Sequence, residues 1–141
     1  MFVDKHRFNS FIILIMNNKQ KIGQFGENIA LKYLLRREYI ILAKNHKERF
    51  YEFDIIAKSP SGVLVFIEVK TKNDDATARV NSFFPEDNLT RFKIKKLVKG
   101  INIFIARHPS LIDEDRGWRI DLIAVTIINR AKIVIRHYEN I

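Results

Sequence analysis

The chain has 141 residues, 25 Lys plus Arg, 16 Asp plus Glu and a formal charge of +9, and its length is that of one domain. A hydrophobic fraction of 47% with a charged fraction of 29% is typical of a globular protein and excludes wholesale disorder. The absence of cysteine excludes disulfide frameworks, thiolate nucleophiles, Cys-ligated zinc and iron–sulfur clusters, and is compatible with the cytoplasmic location that we expect.

Residues 1–20 are expected to form an N-terminal extension, and residues 21–141 the folded domain. The apolar run 11–16 follows a short basic segment and so resembles a secretory signal. It is shorter than such a signal, however, and polar residues replace the cleavage site. A start at Met16 would leave the domain intact. No stretch nears the ~20 apolar residues of a membrane-spanning helix, so we expect no membrane partner.

Apolar spacing along the rest of the chain predicts two helices and five strands. Amphipathic patterns place the helices at 22–35 and 91–106. Apolar runs place the strands at 39–43, 52–57, 63–69, 119–126 and 132–136. A polar loop is expected at 73–90, and the very apolar third strand is expected at the centre of the sheet. This α-β-β-β-α-β-β order predicts an α/β fold with a mixed β-sheet flanked by helices.

Positive charge concentrates on the second predicted helix, because six basic residues and no acid lie between Arg91 and Arg107. Such a helix face is either solvated or in contact with phosphates, which bind cations whatever the base sequence. Under the second interpretation the partner is a nucleic acid, DNA above all. The residues expected to bind it are Lys72, Arg91, Lys93, Lys95, Lys96 and Lys99.

Three acids stand out on the predicted strands: Glu52, Asp54 and Glu68. Glu68 ends a run of apolar residues, and a buried carboxylate is costly unless it is paired or binds metal. One interpretation makes this region the solvated end of a strand, with Asp54 in a salt bridge. In the other, Asp54 and Glu68 bind Mg²⁺ or Mn²⁺. Lys70 would then orient a nucleophilic water or stabilise transition-state charge, and Glu27 would hold a metal-bound water.

These residues, in this order, resemble the PD-(D/E)XK nuclease superfamily, whose core is αβββαβ. The superfamily carries an acid on the first helix, then an Asp, then a Glu-x-Lys that matches Glu68-Val69-Lys70. The chain more closely resembles the small bacterial YraN (UPF0102) family, which is endonuclease-like and similar to archaeal Holliday-junction resolvases. The matching segments are Gly26-Glu27, Glu52–Ala57, Val65–Lys72, Lys93–Leu97, Arg119–Ala124 and Ile135–His137.

The resemblance implies a restriction-endonuclease-like core and a Mg²⁺- or Mn²⁺-dependent nuclease. Asp54, Glu68 and Lys70 would form the catalytic set, with Glu27 as an accessory and the first two as metal ligands. Tyr51 departs from the family pattern, which has Gly before the Glu-x-Asp strand. We therefore expect an endonuclease acting on structured or damaged DNA. A homodimer would suit a symmetric junction.

Two other functions remain open: a nuclease fold that binds nucleic acid or recruits a repair partner without cleavage, and a dimerisation domain. The remaining polar residues are expected to have structural roles. Asp121 is expected to pair with Arg119 rather than to act in catalysis, and Trp118 to lie in the core. The four histidines are scattered without metal-ligand spacing and are expected on the surface or in hydrogen bonds: His6, His46, His108 and His137.

Overall fold

The computed structural model describes residues 18–74, 89–129 and 131–141. Most of the predicted extension and most of the predicted 73–90 loop lie outside these ranges. The elements in chain order are α1 (Lys19–Arg36), β1 (Ile40–Glu48), β2 (Tyr51–Lys58), β3 (Leu64–Asp74), α2 (Arg91–Arg107), a 3₁₀ turn (Pro109–Leu111), β4 (Trp118–Ile128) and β5 (Lys132–Tyr138). The predicted element order is confirmed.

The described strands form one sheet in the order β1-β2-β3-β4-β5. The β3–β4 pair is parallel and the other three pairs are antiparallel, which confirms the mixed α/β sheet and the central place of the most apolar strand. Two strands, β1 and β3, extend well beyond their predicted ends. The polar residues Lys44–Glu48 extend β1 because they pair with β2. Asn73 and Asp74, predicted in a loop, pair with β4.

Helices α1 and α2 cover opposite faces of the sheet. Side chains alternate along a strand, and the two helices contact alternating residues of β3. Ala30 and Leu34 of α1 pack in one core cluster with Val65 and Ile67 of β3. In the other cluster, Leu97, Ile101 and Phe104 of α2 pack with strand residues that include Phe66 of β3. Trp118 packs against this second cluster, as predicted. The helices are therefore fixed against the central strand from which Glu68 projects.

Close contact between α1 and β3 depends on a glycine. A Cβ atom added at Gly26 would overlap the Thr71 side chain, with the Thr71 Cβ and Cγ2 atoms 2.8 and 2.9 Å away. We expect Gly26→Ala to lower the free energy of unfolding by about 1–3 kcal/mol, because the helix must shift away from the sheet. Denaturant unfolding followed by circular dichroism would measure this.

Gly23 provides a matched control on the same helix, since nothing lies within 4 Å of an added Cβ atom there. Gly23→Ala should be neutral or stabilising by up to about 1 kcal/mol, the helix-propensity difference between the two residues. An equal response in both variants would show that helix propensity, and not contact with Thr71, decides the effect.

Candidate metal and nucleic-acid site

The site begins where β2 separates from β3. The pairing of these strands runs from Lys58↔Leu64 to Ile55↔Ile67. Next along β2, the Asp54 side chain takes the place of a main-chain partner, because its Oδ2 atom accepts a hydrogen bond from the Val69 N–H at 2.8 Å. A side-chain carboxylate is therefore fixed against the backbone of the central strand.

Glu68 lies on β3 beside this carboxylate and is bound by two ammonium groups. The Nζ atom of Lys93 donates to Glu68 Oε1 at 2.6 Å, and the Nζ atom of Lys70 is 3.2 Å from the same oxygen. Only 10% of the Glu68 side chain is exposed. Burial would lower the pKa of Lys93, but the hydrogen bond and charge of Glu68 outweigh it and raise that pKa. Both ammonium groups therefore share one oxygen of this buried carboxylate.

Asp54 has a strongly perturbed acidity. Burial, followed by the negative charge of Glu68, raises its pKa to about 7; Glu27 adds to the rise, while the Val69 N–H and Lys70 oppose it. The two carboxylates thus repel each other in a partly desolvated site. Oxygen donors in this state match the preference of a hard divalent cation, which would relieve their repulsion. The donor set fits Mg²⁺ or Mn²⁺.

Two open depressions meet at the acid pair. The first, called the hairpin cleft, is lined together with Asp54 and Glu68 by Phe50, Tyr51, Glu52, Lys93, Lys96 and Leu97. The second, called the helix cleft, is lined with the same two acids by residues of α1 and β3 that include Glu27, Lys70 and Lys72. A bound ion and an anionic partner would therefore both have access to the acids.

Comparison with known proteins identifies the family. The model of the "Uncharacterised protein family UPF0102" matches residues 26–125. The chain belongs to the UPF0102 family. A UPF0102 protein of Trichlorobacter lovleyi is 32% identical over 127 residues, or 90% of this chain and 94% of the relative. One from Campylobacter fetus subsp. fetus is 37% identical over 103 residues, or 73% and 81% of the two chains. One from Chlorobaculum parvum is 36% identical over 124 residues, or 88% and 89%.

In this UPF0102 chain the four predicted catalytic residues lie around one cleft. Glu27 lines the helix cleft with Asp54, Glu68 and Lys70. Among the described residues, Glu27, Asp54 and Glu68 do not form a group whose ligand atoms all lie within 4.8 Å of one another. The charge of Glu27 contributes to the raised pKa of Asp54.

The six predicted nucleic-acid-binding residues divide into two sets. Lys72 lines the helix cleft, and Lys93 and Lys96 line the hairpin cleft. Arg91, Lys95 and Lys99 are exposed on α2 and lie outside both linings. Lys93 has a role that the sequence did not reveal, because its ammonium group binds Glu68 directly.

A second polar cluster surrounds Asp121, which is fully buried on β4. Its carboxylate accepts hydrogen bonds from Arg119 Nε and Nη2 at 2.9 and 3.1 Å and from the Asn140 N–H at 2.9 Å, and it lies 2.8 Å from His137 Nε2. The predicted pairing of Asp121 with Arg119 is confirmed. Burial would raise the pKa of Asp121, but these hydrogen bonds outweigh it and lower that pKa.

The sequence did not predict that His137 and Glu139 would join Asp121. Ligand atoms of the three residues lie within 4.8 Å of one another. The His137 side chain is 7% exposed and lies 2.8 Å from Asp121, in agreement with the hydrogen-bonded role expected of it. A metal is poorly suited to this cluster, since the Arg119 guanidinium binds both Asp121 oxygens and lies 3.5 Å from Glu139. Alternation along a strand cannot reveal such a cluster, because it depends on the β4–β5 register.

Proposed function

We propose that this UPF0102 protein is a cytoplasmic, Mg²⁺- or Mn²⁺-dependent endonuclease that hydrolyses phosphodiester bonds in structured or damaged DNA. The observation that carries the proposal is the convergence of Asp54 and Glu68, with Lys70 beside them, where two lysine-lined clefts meet. Within the described residues, no helix is both long and apolar enough to cross a membrane. Action on a symmetric four-way junction would require two copies of the chain.

Asp54 and Glu68 would hold the metal ion. When bound, the ion would supply positive charge to a phosphoryl oxygen and lower the pKa of a coordinated water. The protein contributes the remaining interactions. The Val69 N–H fixes the Asp54 carboxylate, Lys70 can donate to a phosphate oxygen as negative charge develops, and Lys96 can contact a neighbouring phosphate in the hairpin cleft.

The direct test is cleavage of end-labelled DNA by the purified full chain. Duplex, flap and four-way junction DNA would be incubated with Mg²⁺, Mn²⁺ or EDTA. We expect cleavage of at least one branched DNA in the presence of metal and none in EDTA. If none of these DNAs is cleaved with either ion, the nuclease proposal is overturned.

One observation favours a second candidate, a module that binds nucleic acid without cutting it. Lys93 donates to Glu68 at 2.6 Å, so an ammonium group already neutralises one of the two proposed metal ligands. Salt-dependent DNA binding that survives the loss of Asp54 and Glu68, without cleavage under either ion, would support this candidate.

The Lys93–Glu68 ion pair also predicts competition between Lys93 and a metal ion. We expect Lys93→Met to tighten Mn²⁺ binding by about fivefold or more, the factor that corresponds to the ~1 kcal/mol of a partly exposed ion pair. Isothermal titration calorimetry without DNA would measure the dissociation constant. Lys95→Met is the matched control, because Lys95 is exposed on the same helix and lines neither cleft. Weaker binding in Lys93→Met would contradict competition.

A further inference from the structure

Phe50 exposes an aromatic ring beside the acid pair. It lies in the turn that joins β1 to β2, and 69% of it is exposed. It lines the hairpin cleft with Asp54, Glu68, Lys93 and Lys96. Burial of such a ring would normally stabilise a protein, so its exposure next to charged residues points to a ligand that has both an apolar face and negative charge.

The turn that carries Phe50 is anchored to α2 on both sides. The next residue, Tyr51, packs so closely on α2 that a Cβ atom added at Gly100 would lie 2.5 Å from the Tyr51 Cγ atom. Before the turn, Glu48 accepts a hydrogen bond from Arg107 of α2 at 2.9 Å. Anchoring of this kind limits the conformational entropy that the turn would lose on binding.

The Phe50 ring has both cations and acids near it. The guanidinium carbon of Arg49 is 5.2 Å from the ring centroid. Lys93 and Lys96 line the same cleft, together with Glu52, Asp54 and Glu68. A nucleotide with an unpaired base matches this combination, because its base has a flat face for stacking and its phosphates are anionic. In a duplex both faces of each base are covered by its neighbours, so such a site would select unpaired nucleotides.

We infer that Phe50 is a stacking platform for an unpaired nucleobase, in a strand whose phosphates contact Lys93 and Lys96. The inference rests on the proposed function and specifies its substrate class: DNA with a single-stranded or locally unpaired segment at the cleavage site. The next residue, Tyr51, anchors the turn through its close packing on α2 at Gly100.

The experiment measures DNA binding by the full chain in EDTA, so that cleavage cannot interfere. Fluorescence anisotropy would compare a labelled single strand with the matching duplex, and 2-aminopurine in the strand would report stacking. We expect Phe50→Leu to weaken single-strand binding about 5- to 150-fold, the range for loss of one base–aromatic stack, with little change for duplex. Phe50→Trp should retain both tight binding and 2-aminopurine quenching.

Phe92→Leu is the matched control, because Phe92 is 74% exposed on α2 but is not in the lining of either cleft. Unchanged binding in Phe50→Leu, an equal loss in Phe92→Leu, or failure of the wild type to bind single strands would overturn the inference. Binding in EDTA is independent of cleavage. Phe50-dependent binding without nuclease activity would therefore overturn only the proposed function, and cleavage that does not depend on Phe50 would overturn only the stacking platform.

Discussion

Replacement of Asp54 by alanine is expected to abolish metal-dependent DNA cleavage, with a loss of at least about a thousandfold. This factor corresponds to the several kcal/mol that a correctly placed metal ion contributes to a phosphoryl-transfer transition state. The variant loses the carboxylate whose Oδ2 atom accepts a hydrogen bond from the Val69 N–H at 2.8 Å. It thereby loses one of the two proposed metal ligands. Cleavage of labelled branched DNA with Mn²⁺ would measure the loss.

Three variants make the result specific. Asp54→Asn retains an oxygen that can accept from Val69 but removes the negative charge, so it should also be inactive while remaining folded. Glu68→Gln should be inactive for the same reason. Glu114→Ala removes an exposed acid outside both clefts and should cleave like the wild type. Cleavage unchanged in Asp54→Ala would identify a contaminating nuclease.

The second large effect concerns stability. We expect Asp121→Ala to lower the free energy of unfolding by about 3–5 kcal/mol, since it leaves the Arg119 guanidinium without its buried partner. The Arg119 side chain is 17% exposed and that of Asp121 is 0% exposed, so water cannot replace the lost bonds fully. Chemical denaturation followed by circular dichroism would measure the change.

Asp113→Ala is the control for this substitution. Asp113 also pairs with an arginine, Arg116, but their side chains are 43% and 54% exposed at a distance of 3.4 Å. Its loss should change stability by less than about 1 kcal/mol. If Asp121→Ala also lowers the free energy of unfolding by less than about 1 kcal/mol, the buried network contributes little to the stability of the fold.

The lowered pKa of Asp121 also predicts how stability depends on pH. The unfolded chain takes up this proton near the ordinary value of 3.8, and the folded protein only at lower pH. The stabilisation is therefore complete above that value and is lost as pH falls through it toward the folded pKa. Melting temperatures measured from pH 7 to pH 3 should fall more steeply below about pH 4 in the wild type than in Asp121→Asn. Parallel curves would contradict this.

Local patterns predicted most of the fold because both helices and the central strand bury regular apolar faces. The same patterns failed where pairing partners decide the structure. The segment Lys44–Glu48 extends the edge strand β1. An edge strand needs only one buried face, so the polar sequence of this segment did not predict a strand. Asn73 and Asp74 are polar as well, yet they continue β3 beside an apolar strand.

The sequence indicated some contacts of the candidate site and did not indicate others. Glu68 was recognisable because a carboxylate ends an apolar run, and Lys70 follows it on the same strand face. Lys93 was predicted to contact phosphates as part of a basic helix, but the sequence did not reveal that its ammonium group also binds Glu68. Contacts of this kind depend on how a helix docks on the sheet, and one sequence carries no local signal for that. His137 and Glu139 were not predicted as neighbours of Asp121, because their approach depends on the β4–β5 register.

The burial of Asp54 beside Glu68 has a consequence for the stability of the whole domain. Because the pKa of Asp54 is raised from 3.8 to about 7, the native state retains the proton of this carboxyl group to a higher pH than the unfolded chain does. The linkage therefore has the opposite sign to that of Asp121, and stability declines as pH rises between these two values. Ionisation of Asp54 near neutral pH thus opposes folding, so the burial of this acid beside Glu68 costs the protein stability.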